Sequence, residues 1–119
     1  DGHQLRDFTY VDDTVDALLM AAISEQAYGQ VFNLGADQVI SLKKLAELLV
    51  IVYGRGAYQE QTFPADRKRI DIGDYYADDQ LIRNTLGWAP DVSLEEALKR
   101  TIDYYQTFGK HYWEDEVDS

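Results

Sequence analysis

Cysteine is absent from all 119 residues, so no disulfide framework, thiolate zinc site or cysteine nucleophile is available. That usage suits a reducing, cytoplasmic compartment. Long apolar runs are missing too. The longest, Leu18 to Ile23 and Leu48 to Tyr53, fall far short of the roughly 18 residues that span a bilayer, and the acidic start lacks a signal-peptide pattern. Basic residues are scarce, 11 against 22 acidic ones, for a formal net charge of −11. A field of that sign repels nucleic acid and anionic membrane surfaces and speaks against both as partners. No GxGxxG or GxxxxGK stretch is present to wrap a phosphate chain, so no cofactor-binding loop is recognisable within the sequence. None of the nine tyrosines is followed four residues later by lysine. His3 and His111 have no neighbour at metal-ligand spacing.

What is there is a globular composition, 45% hydrophobic and 13% aromatic with two prolines, enough for one modest domain or part of a larger one. Val11, Val15, Leu18, Leu19, Ala22 and Ile23 recur at three- and four-residue steps behind Asp12 and Asp13 as candidate caps. This predicts an amphipathic helix whose end Gly29 marks. Val31-Phe32-Asn33-Leu34, closed by Gly35, reads as a short buried strand. Ser41 opens a second helix whose Leu42, Leu45, Leu49 and Val52 share a face, and Gly54 stops it. Tyr58 to Phe63 has strand character, and Arg67 to Tyr76 reads as an ordered loop. Asp78 or Asp79 caps a short helix through Leu81, Ile82 and Leu86, ended by Gly87. Ser93-Leu94-Glu95-Glu96 is a capping box opening a last helix, with Leu94, Ala97, Leu98, Thr101, Tyr105 and Phe108 as its buried stripe up to Gly109. An acidic tail, 110–119, follows. The expected fold class is α/β, or α+β in isolation, with about four helices and a few short strands.

Few residues carry chemistry. Asp12 and Asp13 form a carboxylate pair, which at a helix start is better explained by the dipole and free N–H groups than by acid and base work. Tyr104 and Tyr105 read as packing of the last helix, whereas Tyr75, in the loop, is open to a sugar-facing role. Arg67-Lys68-Arg69 gathers three cations beside Asp71. This is either a solvated basic loop or an anion site in which guanidinium groups grip a diphosphate and the carboxylate takes ribose hydroxyls. Arg6 is a second clamp if the fold brings it close.

Five segments in order, Asp1 to Asp13 (DGHQLRDFTYVDD), Val31 to Gly35, Ser41-Leu42, Asp71 to Asp78 (DIGDYYAD) and Leu86 to Pro90 (LGWAP), together resemble the C-terminal part of the extended short-chain dehydrogenases. These are the NAD-dependent nucleotide-sugar epimerases and dehydratases. The resemblance implies a two-part enzyme. An N-terminal Rossmann domain, absent from this sequence, would hold NAD or NADP and carry a Tyr-x-x-x-Lys catalytic set. A substrate-binding part, here 1–109, would hold a UDP- or dTDP-sugar. It further implies that Arg6 contacts the diphosphate, that Phe8 lies near the substrate without a tyrosine's hydroxyl, that Asp71 accepts ribose hydroxyls and that Tyr75 faces the sugar. Arg67 and Arg69 remain joint candidates for a second phosphate contact. The catalytic and cofactor groups would belong to the parent enzyme. The apolar faces left uncovered predict self-association of the chain.

Overall fold

Two serine hydroxyls start two of the helices. In the computed structural model, which describes residues 2–68 and 70–112 apart from the Asp66 side chain, Ser41 Oγ accepts from Lys44 N at 3.1 Å and Ser93 Oγ from Glu96 N at 3.3 Å. Each satisfies a backbone donor that has no partner within its helix. The elements run β1 (Leu5–Asp7), α1 (Val11–Ile23), a 3₁₀ turn (Glu25–Ala27), β2 (Val39–Ser41), α2 (Leu42–Tyr53), a single turn α3 (Ala65–Lys68), α4 (Gln80–Leu86) and α5 (Leu94–Phe108), followed by a 3₁₀ turn at Gly109–His111. The expected mixture of helices and short strands is therefore present. Gly54 and Gly87 end α2 and α4 in the left-handed region, at φ +74° and +70°, where a side chain would be strained.

β1 and β2 pair antiparallel with Arg6 opposite Ile40. Neither strand was expected from the sequence pattern. The core is small: Ala17 of α1, Ile82 of α4 and Trp88 are buried together, with Met20, Phe32, Leu34 and Leu86 packed against them. The radius of gyration is 17.7 Å, where about 13–14 Å is usual for a compact domain of this length. The chain is an open one.

Several expectations change. Val31 to Leu34 forms no strand. Phe32 and Leu34 turn inward while Val31 stands 85% exposed, so the alternation of an extended chain survives. A strand, however, exists only through a neighbour's ladder, and none lies beside this segment among the described residues. Tyr58 to Phe63 is likewise irregular and almost wholly exposed. The apolar stripe of α1 faces outward, with Val11, Val15, Leu18, Leu19 and Ile23 all exposed, whereas Asp13 and Ala17 are its buried residues. Asp12 and Asp13 do not cap that helix, because Tyr10 occupies the N-cap and makes no side-chain bond there. α1 also stops at Ile23, well before Gly29.

In α5 only Ala97 of the predicted stripe is fully buried, while Thr101, Tyr105 and Phe108 are exposed. Tyr104 and Tyr105 are not core residues either. They join Phe108 and Tyr112 in a surface aromatic cluster with ring centroids 5.1–6.0 Å apart. Of the acidic tail, residues 113–119 lie outside the described part.

Candidate anion site on the edge of the first strand

β1 has two edges, and the second is where the candidate residues meet. Segment 71–77 closes it. Leu5 N donates to Asp74 Oδ1 at 2.8 Å, Tyr75 N to Leu5 O at 3.0 Å, and Ala77 N to Asp7 Oδ2 at 3.1 Å. An aspartate side chain thus does part of what a neighbouring strand would do, and Tyr75 completes a parallel bridge with Arg6.

Arg6 is locked into this arrangement. Its Nη1 donates to both Leu5 O and Gly73 O at 2.6 Å, which uses the two hydrogens of that nitrogen. Nη2 and Nε have no partner among the described residues. The guanidinium therefore keeps donors free in a fixed orientation, as bidentate recognition of a phosphate requires. Gly73 presents its carbonyl from φ +68°, a conformation that favours glycine.

Asp71 lies next to it. Its Oδ2 accepts from Gln4 Nε2 at 3.2 Å and from Gly73 N at 3.3 Å, leaving Oδ1 open on an exposed surface. A fixed carboxylate with a free oxygen, linked through Gly73 to the guanidinium of Arg6, can accept hydroxyls. Tyr75 has its backbone fixed here and its ring 62% exposed.

The remaining candidates are not brought to this place. Phe8 lines a separate cavity of about 260 Å³ with Ala36, Asp37, Pro90, Val92 and Leu94. Arg67 sits exposed on α3 with no recorded bond to Arg6 or Asp71. Arg69 lies outside the described residues. Four participants were missed by the sequence: Gln4, Asp7, Gly73 and Asp74. Only the Gly73-Asp74 turn pair carried a local signal, because the other contacts join residues about 70 positions apart.

Neighbouring structure supports the platform. Arg83 holds Asp79 through Nε and Nη2, each at 2.8 Å, and Asp37 through Nη2 at 2.8 Å. The hydrogen bonds from Asp79 and then Asp37 push its guanidinium further above the usual arginine range. Gly35 is buried where a Cβ would come within 3.2 Å of Asp7 Oδ2 and 3.3 Å of Ala77 O, so the backbone must pass close there. No group of acids or histidines among the described residues is arranged to hold a metal ion. No helix among them is long and apolar enough to cross a membrane.

Residues 1–101 match the GDP-mannose 4,6 dehydratase family, and the chain is a member of it. UDP-glucose 4-epimerase of Thermotoga maritima, crystallised with UDP-glucose, is 34% identical and superposes with a TM-score of 0.79 over 90% of this chain and 33% of that one. UDP-glucuronic acid 4-epimerase of Bacillus cereus, crystallised in complex with NAD, is 28% identical with a TM-score of 0.75, over 91% of this chain and 33% of that one. UDP-glucuronate 4-epimerase of Thermodesulfobacterium geofontis is 33% identical over 105 residues, 87% of this chain and 31% of the relative. The chain spans about a third of the length of these relatives.

Proposed function

We propose that this chain is the part of an NAD(P)-dependent epimerase or dehydratase that grips a nucleotide diphosphate and orients its sugar. The observation that carries this reading is the double anchoring of Arg6 Nη1 on Leu5 O and Gly73 O, which ties the guanidinium to the segment that carries Asp71. In this reading Arg6 holds the diphosphate, Asp71 the ribose hydroxyls, and Tyr75 faces the sugar of a UDP- or dTDP-sugar. The residues present do not fit a dinucleotide, since no glycine-rich turn leads into any helix of the sequence. No chemical step is assigned to them. Hydride transfer would belong to a Rossmann domain elsewhere in a parent polypeptide. What this part supplies is binding energy from the remote nucleotide, which positions the reacting sugar.

Calorimetric titration tests the reading. On a chain of net charge −11, only locally fixed cations attract a diphosphate. Charge-assisted hydrogen bonds contribute about 1.5–3 kcal/mol each, giving UDP an affinity of about millimolar order once association entropy is subtracted. The expected result is saturable binding of UDP and none of uridine at the same concentrations. Equal binding of both, or of neither, would sink the proposal.

The same reading predicts self-association of the isolated chain. α1 presents Leu18, Leu19 and Ile23 at 60–87% exposure, and Val31 is equally bare. Contiguous apolar surface of this kind is rare on monomers. Sedimentation at high micromolar concentration should show dimers or larger species. A clean monomer that binds no hydrophobic dye would contradict it.

A further inference from the structure

Aromatic side chains crowd the end of α5. Tyr104, Tyr105, Phe108 and Tyr112 interlock at ring-centroid distances of 5.1–6.0 Å, and His111 stacks on Phe108 at 6.4 Å. Rings of this size ordinarily gather to leave water. These do not leave it, since Tyr104, Tyr105 and Tyr112 stay 45%, 42% and 55% exposed. Nothing in the nucleotide reading uses them.

One pair is set apart by its geometry. Tyr112 N donates to Gly109 O at 2.8 Å, closing the 3₁₀ turn that follows α5 and bringing the Tyr112 ring back onto the helix. There the phenol hydroxyls of Tyr104 and Tyr112 meet in a hydrogen bond, with ring centroids 6.0 Å apart and planes at 58°. The carbon bearing each hydroxyl is flanked by the two ortho carbons of its ring, so rings that touch through their hydroxyls hold ortho carbons close together. Tyr105 meets Tyr112 edge-on at 5.4 Å and 72°, which makes it the competing partner.

We propose that Tyr104 and Tyr112 form an oxidative cross-linking site, joined as a dityrosine by a one-electron oxidant of the haem-peroxidase class working with hydrogen peroxide. Each phenol gives up one electron and its hydroxyl proton. The two radicals couple through one new bond between ortho carbons, and the hydrogen on each of those carbons moves to the oxygen of its own ring, restoring both phenols. Peroxide takes up the two electrons and two protons as its O–O bond breaks, and leaves as two waters. The hydrogen bond from Tyr104 raises the Tyr112 phenol above the usual tyrosine range, so at neutral pH the proton leaves with the electron. Coupling inside one chain outruns coupling between chains because the second ring is already in place. The sequence has no cysteine to quench the first radical, and Trp88 is buried. The product ties the turn after α5 covalently to the helix.

Mass spectrometry of the full chain, treated at low micromolar concentration with a haem peroxidase and hydrogen peroxide, tests the site. Trypsin cuts after Arg100 and Lys110, so Tyr104 and Tyr112 fall in different peptides, 101–110 and the one that begins at His111. The expected product is a monomer lighter by two hydrogens, with dityrosine fluorescence, in which those two peptides are joined and fragmentation places the bond at Tyr104. Tyr104→Phe keeps the ring and removes the hydroxyl, and it should cut the yield of joined peptides by about fivefold or more, since the positioned partner is lost. Tyr105→Phe should keep most of that yield. A bond at Tyr105 in place of Tyr104, links chiefly at Tyr28, Tyr75 or Tyr76, products only between chains, an unchanged yield in Tyr104→Phe, or no cross-link at all would each overturn the proposal.

Discussion

Trp88→Ala should lower the stability of the chain by about 4 kcal/mol, the range for removing a large buried aromatic being about 3–5 kcal/mol. Trp88 is 3% exposed and packs with Ala17 and Ile82 in the only fully buried cluster among the described residues. Its indole N–H also donates to the Asp13 carbonyl at 2.9 Å, so truncation also removes a buried hydrogen bond that ties the segment after α4 to the start of α1. The relaxation that softens cavity mutations elsewhere has little to draw on in so thin a core. Against a typical total of about 5–15 kcal/mol, the loss takes much of the folded population. Urea unfolding followed by circular dichroism measures it. Trp88→Phe should fall between the two, keeping the packing and losing the hydrogen bond. A loss below about 1 kcal/mol for the alanine variant would mean that the core is not where the burial places it.

Asp13→Ala should destabilise by about 3 kcal/mol. The carboxylate is 3% exposed, and its two oxygens accept from Asp91 N at 2.9 Å and Val92 N at 3.3 Å. It thereby staples the start of α1 to the turn before α5. Alanine would leave two backbone donors without acceptors, each worth about 1–3 kcal/mol when buried, softened by water reaching the exposed Asp91 and the half-buried Val92. Asn is the sharper control, since its amide nitrogen would oppose one of those donors and recover only part of the loss. The Trp88 indole donates to the backbone carbonyl of Asp13, which alanine keeps, so any coupling comes from packing at the start of α1, and the double variant should lose about the sum of the two single losses or somewhat less. Thermal unfolding of the four proteins gives the coupling. An Asp13→Ala loss below about 0.5 kcal/mol would contradict the staple.

The same residue shows where sequence reading stops. Asp12 and Asp13 look alike at a helix start, and the dipole argument applies to both. What separates them is a turn 78 residues away, which no local pattern announces. Ser41, Gly54, Gly87 and Ser93 were legible because a cap is settled within four residues of itself. β1 and β2 were not, since Leu-Arg-Asp has no alternation to notice and each three-residue strand exists through its partner some 34 positions away. The α1 stripe was legible as a helix period and misplaced as a face. Periodicity reports that a side is apolar; what lies against it is a separate fact. Arg6, Asp71 and Tyr75, singled out by residue type and again by the resemblance, all lie on the β1 edge and the segment that closes it, whereas Phe8 lines another cavity. Gln4 and Gly73, which fix Asp71 and Arg6, act through an amide and a backbone carbonyl that composition cannot single out.

The central claim is that Arg6 and segment 71–75 meet at one anion. Amide-shift titration with UDP, in the parent chain and in Arg6→Ala, tests it most directly. The account predicts that the amides of Arg6, Asp71, Gly73 and Asp74 move together in the parent chain, with a common midpoint, and that those of 71–75 no longer respond to UDP in the variant. Responses at 71–75 that persist unchanged in Arg6→Ala, or that uridine reproduces, would contradict it.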